Sequence, residues 1–148
     1  PGIDWRVQEK LEQRLQLYFT GYSRSASDIL RPLAAGGQND NLMTNAELGN
    51  SMLVALRSGQ LWHVGPLFHQ QWVGKKLRSP EATNDHIEQL YALGVRGGVT
   101  GGKLVGAGGG GFLLFYTTEP EQLRAGMAGH AEELPFKFED EGTMVVCQ

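Results

Sequence analysis

The 148-residue sequence is poor in cysteine, in clustered positive charge and in long hydrophobic runs. A single thiol, Cys147, precludes an internal disulfide and fits a reducing compartment. There is no basic tract and the formal net charge is −3, so neither nucleic acid nor an anionic membrane surface is expected as a partner. No apolar run approaches the roughly 18 residues of a transmembrane helix, and no segment resembles a signal peptide. These absences predict a cytoplasmic protein.

Metal-ligand patterns are also missing. The four histidines show neither HxH nor HExxH spacing and no cysteine partner, so no protein-held metal site is expected. The paired carboxylates near the C-terminus are typical of a helix end and a turn, and no catalytic residue is assigned to them. Hydrophobic residues make up 41% and charged residues 20% of the chain, which predicts one globular domain with a core.

Glycine is abundant, and ten of the 21 glycines lie between Gly94 and Gly111. Each ordered glycine costs about 0.5–1 kcal/mol relative to alanine, so this density indicates that the backbone approaches something closely. A phosphate held by successive N–H groups is the commonest such partner. The alternative is a glycine-rich bulge that allows tight sheet packing.

Two nucleotide-binding motifs match this window but lack the required context. GGVTGGK, from Gly97 to Lys103, has the GxxxxGK spacing, but it is followed by Leu104, where a P-loop needs Ser or Thr for Mg²⁺. GAGGGG has the GxGxxG spacing, but the run Phe112–Tyr116 that follows it is typical of a buried strand and not of a helix. Both motifs are therefore rejected, and the segment is interpreted as strand, glycine loop, strand.

Periodicity and turn residues predict the remaining elements in outline. Helices are expected over 3–13, from Ser25 through Leu33, from Asn41 to Gly59, from Leu61 to about Leu77, from Asn84 to Gly94, and after a capping box at 118–121; strands are expected over 15–19, 103–105, 112–117, 134–138 and 143–147. Strands alternating with helices in this way predict an α+β fold, a two-layer sandwich of one sheet and its helices.

The order Lys103-Leu-Val, then GAGGGG, then strand resembles the third conserved motif of the GHMP small-molecule kinases. Val105 stands where that motif usually has a hydroxyl residue. The segments Leu15–Gly21, Tyr22–Leu30 and Trp72–Leu77 resemble the sugar-kinase branch, in particular the D-glycero-D-manno-heptose 7-phosphate kinases and the galactokinases. The likeness extends over most of the chain.

This resemblance implies a GHMP kinase C-terminal domain, with a ferredoxin-like antiparallel sheet covered by helices, over residues 1–148. The activity implied is transfer of the ATP γ-phosphoryl group to a sugar or sugar phosphate, heptose 7-phosphate first and galactose next. The nucleotide-binding N-terminal half would be the partner that binds most of the ATP and Mg²⁺, so this chain alone is expected to be inactive. The face normally shared with that half is expected to promote homo-oligomers.

Candidate site residues follow from the loop and from this resemblance. The phosphate-proximal loop comprises Gly106, Ala107, Gly108, Gly109, Gly110 and Gly111. Substrate-binding residues are Thr20, Gly21, Ser23, Arg24 and Lys103; Arg24 and Lys103 are equally compatible with surface positions. Lys75 and Lys76 are interpreted as surface cations that are stabilised by their position near a helix C-terminus. A different class of function, a stand-alone ligand-binding or regulatory domain without catalysis, remains open.

Overall fold

The computed structural model describes residues 2–21, 39–106 and 108–139, with side chains omitted for 39–43. The helices are α1 (Trp5–Arg14), α2 (Asn39–Arg57), α3 (Val64–Arg78), α4 (Asp85–Arg96) and α5 (Pro120–Met127). The strands are β1 (Leu15–Phe19), β2 (Val99–Val105), β3 (Phe112–Thr117) and β4 (Glu132–Leu134). Short 3-10 turns cover Leu61–His63 and Pro80–Ala82. The predicted helix from Ser25 and the predicted strand over 143–147 lie outside the described residues.

The four strands form one antiparallel sheet in the order β2-β3-β1-β4. β1 pairs with β3 from Leu15↔Tyr116 to Phe19↔Phe112, and with β4 from Leu17↔Leu134 to Phe19↔Glu132. β2 and β3 form the hairpin that encloses the glycine loop. This strand order is that of a ferredoxin-like sheet. The predicted α+β class, an antiparallel sheet covered by helices, is therefore confirmed.

Hydrophobic side chains from alternate positions of β3 enter two separate clusters. Leu113 and Phe115 join the cluster that contains residues of α4 and α5, whereas Leu114 and Tyr116 contact the cluster that includes α1, α2 and the start of α3. Successive residues of a strand point to opposite faces, so both faces of the sheet carry apolar packing. Trp72 of α3 is fully buried in the first cluster.

Helix boundaries follow from local chemistry at some positions and differ from the sequence prediction at others. The Asp4 carboxylate accepts the Arg6 N–H, and the Asn84 side chain accepts the Ile87 N–H, as an N-cap does. Gly94 does not end α4 as predicted; the helix continues to Arg96, and Gly94 is buried against Phe115. The capping box predicted at 118–121 is also wrong. Glu119 is the N-cap residue of α5, and its side chain makes no capping hydrogen bond.

Two strands start earlier than predicted. β2 begins at Val99 and so includes Gly101 and Gly102, which the sequence pattern assigned to the region before the strand. An ideal Cβ on Gly101 would lie 1.9 Å from the Gly65 carbonyl oxygen, so α3 contacts the backbone of this edge strand directly. β4 covers Glu132–Leu134 and not 134–138, with Leu134 the shared residue. Among the described residues, no helix is long and apolar enough to cross a membrane.

Candidate functional site

The glycine loop between β2 and β3 is seated on the turn Pro80–Ala82. The Gly109 N–H donates to the Ala82 carbonyl at 2.7 Å, and an ideal Cβ on Gly108 would lie 2.8 Å from the Ala82 Cα. Gly108 also has φ of +126°, which an L side chain rarely adopts. The loop therefore depends on glycine for its packing, and the Gly109 N–H is directed to the protein and not to a ligand.

Thr20 connects the end of β1 to this loop. Its backbone N–H and its Oγ1 hydroxyl both donate to the Gly111 carbonyl, each at 2.9 Å. On the other side, His86 Nε2 lies 3.0 Å from the Thr20 carbonyl oxygen. Thr20 is 1% exposed, so its hydroxyl holds the loop in place. Thr20 and the exposed Gly21 line a shallow cavity of about 370 Å³ whose other lining residues include His86, His130 and Glu132.

Lys103 lies elsewhere, between β2 and α3. Its Nζ donates to the Gln71 side-chain oxygen at 2.9 Å and stands 4.6 Å from the centre of the Phe68 ring. Burial lowers the pKa of the Lys103 ammonium below its usual value, because a charged group loses hydration there. Lys103 therefore does not share the Thr20 cavity, and the residues predicted to bind substrate fall into two places.

A second cavity, of about 280 Å³, lies where Lys103 meets the end of α3; we call it the cationic pocket. Its walls are formed by Asn45, Gln71, Trp72, Lys75, Arg78, Lys103, Leu104, Val105 and Gly106, a set that contains three cations and no carboxylate. Lys75 Nζ donates to the Gly106 carbonyl, so the pocket adjoins the first residue of the glycine loop. Burial, and then the charges of Lys103 and Arg78, lower the pKa of Lys75.

The two consecutive lysines of α3 that sequence reasoning treated alike have different surroundings. Lys76 forms an ion pair with Glu88 at 2.9 Å, whereas Lys75 lines the cationic pocket. A signal for this pocket was present in the sequence: Gln71, Lys75 and Arg78 are spaced i, i+4, i+7 and so share one helix face. That face was not recognised because its partner, Lys103, is distant in the chain.

The remaining predicted residues are placed as follows. Gly106 and Gly108–Gly111 form the described part of the loop, and Thr20 contacts it. Ser23, Arg24 and Ala107 lie outside the described residues. No three His, Cys, Asp or Glu side chains come together as a metal site in the part of the chain that the structure describes.

The chain is similar in sequence to known kinases. A bifunctional fucokinase/GDP-fucose pyrophosphorylase of Arabidopsis thaliana is 32% identical over 152 residues, covering 89% of this chain and 14% of that protein. A D-glycero-alpha-D-manno-heptose 7-phosphate kinase of Campylobacter jejuni is 29% identical over 144 residues, covering 92% of this chain and 42% of that protein. The relatives of this chain are sugar kinases of the GHMP family. The chain spans less than half the length of these two curated relatives.

Solved structures agree with this relationship. A sugar kinase from Campylobacter jejuni aligns over 94% of this chain and 40% of its own, with a TM-score of 0.65 and 25% identity. The L. major mevalonate kinase in complex with R-mevalonate has a TM-score of 0.67 at 17% identity, over 80% of this chain and 39% of its own, and so shares the fold. No family model matches the chain. These solved structures share the fold of this chain.

Proposed function

We propose that this chain is the C-terminal half of an ATP-dependent sugar kinase that phosphorylates a hydroxyl of a sugar or sugar phosphate. The observation that carries the proposal is the glycine loop between β2 and β3, held to β1 through Thr20, in a chain whose relatives include a heptose 7-phosphate kinase and a fucokinase. Heptose 7-phosphate is the favoured acceptor and galactose the next.

The part played by the loop in this proposal is positional. Phosphoryl transfer depends mostly on placing the two substrates and on stabilising charge. Gly109 and Gly111 of the loop are each held by a hydrogen bond, to Ala82 and to Thr20 respectively, and Thr20 also lines the neighbouring cavity. Such a loop provides a fixed wall for the acceptor and excludes side chains from the space in front of it.

Kinases of this family use ATP and Mg²⁺. The described residues do not fit Mg²⁺: they offer no cluster of carboxylates, and the pocket next to the loop is cationic, whereas Mg²⁺ requires oxygen ligands of the opposite charge. No step of the reaction is therefore assigned to a metal on this chain. In the proposal, the metal and most of the nucleotide belong to the other half of the kinase.

A chimera tests the proposal. This chain replaces the matching segment of the Campylobacter jejuni heptose 7-phosphate kinase, and ADP release is measured with heptose 7-phosphate, galactose and fucose. We expect turnover on the order of 1–100 per second with one of these acceptors and none from the 148-residue chain alone. A chimera that is folded by circular dichroism and releases no ADP with any of them overturns the proposal, as does ordinary turnover by the isolated chain.

The Gly109→Val variant tests the role of the glycine loop in the same assay. Gly109 has φ of +67°, so a β-branched residue there is strained and also obstructs the loop. We expect loss of activity with the fold retained. Gly129→Val is the matched control, because Gly129 has φ of +76° and lies in the turn after α5. Equal activities of the two variants would contradict a role for the loop.

A further inference from the structure

The cationic pocket brings together three positive side chains that have no negative partner in the part of the chain that the structure describes. Lys75 and Lys103 donate to neutral oxygens, of Gly106 and Gln71 respectively, and among the described residues neither these lysines nor Arg78 forms an ion pair. Each is half-buried, so water screens the three charges less than it screens those at an open surface. Burial lowers the pKa of Lys75, and the charges of Lys103 and Arg78 lower it further.

The end of α3 explains only part of this arrangement. Cations near a helix C-terminus are favoured by about 0.3–1 kcal/mol each, which accounts for the presence of Lys75, Lys76 and Arg78 in the last turn. It does not account for Lys103, which comes from β2 and lies against the same cavity. Nor does it explain why Lys76 has a carboxylate partner, Glu88, while the pocket cations have none among the described side chains.

The size of the pocket limits what it holds. At about 280 Å³ it is at the lower end of the roughly 300–1,000 Å³ typical of small-molecule sites. It therefore has room for one anionic group, with the rest of a larger ligand outside it. Lysine and arginine N–H groups converging from a helix and a strand are the donors that a phosphate oxygen accepts from, and bonds of this charge-assisted kind are the strong ones.

We propose that the cationic pocket is a phosphate-monoester site whose donors are Lys75, Arg78 and Lys103. Resting on the function proposed above, we assign to it the phosphate already carried by a phosphorylated acceptor sugar, whose reacting hydroxyl would lie toward the glycine loop. The Lys75–Gly106 contact places the site next to that loop. A bound dianion would offset the repulsion among the three cations.

Titration of the 148-residue chain with inorganic phosphate, followed by calorimetry, tests the site directly. We expect saturable binding that weakens with added salt, because the contact is ionic. Lys103→Met and Lys75→Met each remove one charge-assisted donor and should weaken binding about tenfold. Lys76→Met is the matched control on the same helix turn and should leave phosphate affinity unchanged. Lys75→Arg should restore most of the binding.

Three further probes identify the source of the phosphate group. Glucose 6-phosphate should compete with inorganic phosphate, whereas glucose should not, and ATP should compete less well than glucose 6-phosphate because the proposal assigns the nucleotide to the other half of the kinase. No saturable phosphate binding by the folded chain, or equal loss in the Lys76 control, overturns the site. Stronger competition by ATP than by glucose 6-phosphate overturns its assignment to the acceptor. Phosphate binding that persists when the chimera has no kinase activity would reject the proposed function and keep the site.

Discussion

The glycines of the packed region, Gly94–Gly102, and those of the loop, Gly106–Gly111, serve different physical purposes. On Gly101 an added Cβ would lie 1.9 Å from a backbone oxygen, and on Gly102 it would lie 2.4 Å from the Phe115 ring. On Gly106 it would meet nothing within 4 Å, yet φ there is +101°. Gly101 and Gly102 are thus needed for close contact and Gly106 for backbone conformation, whereas Gly108 of the loop is needed for both, with φ of +126° and the Ala82 Cα 2.8 Å from an added Cβ.

The largest loss of stability is expected from Gly101→Ala in the packed region. Its Cβ would overlap the Gly65 carbonyl group, which is backbone of α3 and cannot rotate away. Moving the helix off β2 should lower the free energy of unfolding by about 3 kcal/mol. Urea denaturation measures this, with Gly49→Ala as control. Gly49 is an exposed position of α2 with no atom within 4 Å of a Cβ, so alanine there should be neutral or stabilising. Similar losses in both variants would contradict the packing role of Gly101.

A smaller effect is expected from Gly106→Ala in the loop. No atom obstructs the new methyl group, so the cost is that of a positive φ alone, about 1–2 kcal/mol. Gly129→Ala is matched in both respects, with φ of +76° and open space, and should cost a similar amount. The same urea series compares them. A much larger loss of stability in Gly106→Ala than in Gly129→Ala would contradict the interpretation that a positive φ is the only cost at Gly106.

Tyr18 in the core and Lys75 in the cationic pocket should affect stability at alkaline pH with opposite signs. The Tyr18 hydroxyl donates to Gln16 Oε1 at 3.0 Å, and burial, with Glu133 adding to it, raises the pKa of Tyr18 to about 12. Because this folded-state pKa is above the unfolded value near 10, the stability it contributes is complete below pH 10 and is lost as pH rises toward 12. Tyr18→Phe should reduce this alkaline loss, as measured by urea denaturation at pH 9, 10 and 11.

The smallest change in stability is expected from Lys75→Met in the cationic pocket. The pKa of Lys75 is lowered on folding, so its charge opposes folding below that pKa, and the penalty disappears as pH rises past the unfolded value near 10.5. Wild type should therefore gain stability relative to the Met variant between pH 7.5 and 10.5. Unfolding free energies at those two values test the sign. A difference that does not change with pH would mean that the pocket does not disfavour the charge.

Much of the architecture was accessible from local sequence patterns. β1 and β3 were predicted with their observed bounds, since the runs LQLYF and FLLFYT are apolar and end at turn residues. Gly94, Gly101 and Gly102 were assigned to helix ends or to the region before a strand, because nothing local distinguishes a glycine required by a distant backbone from one that ends an element. The contact between Gly65 and Gly101 depends on how α3 crosses β2, which is a tertiary property.

The candidate site was only partly predictable for the same reason. The loop was found from its glycines, and Thr20 from the end of β1, but the pairing of Thr20 with Gly111 required the sheet register. Lys103 was identified without its neighbours, because Lys75 and Arg78 reach it only after α3 has packed on β2. Charge patterning along one helix face was visible in the sequence, but the strand residue that completes the pocket was not.

The central place of β1 in the sheet has a consequence for the order in which the protein can fold. This strand is the first of the four to be synthesised, yet its partners among the described strands are β3 and β4, and Leu15 pairs with Tyr116 across a separation of roughly a hundred residues. At translation rates of about 5–20 residues per second, Leu15 and Tyr18 would wait several seconds for their partners. During that time their apolar surface is open to chaperones or to other nascent chains, so the yield of folded protein should depend on the speed of translation through β3.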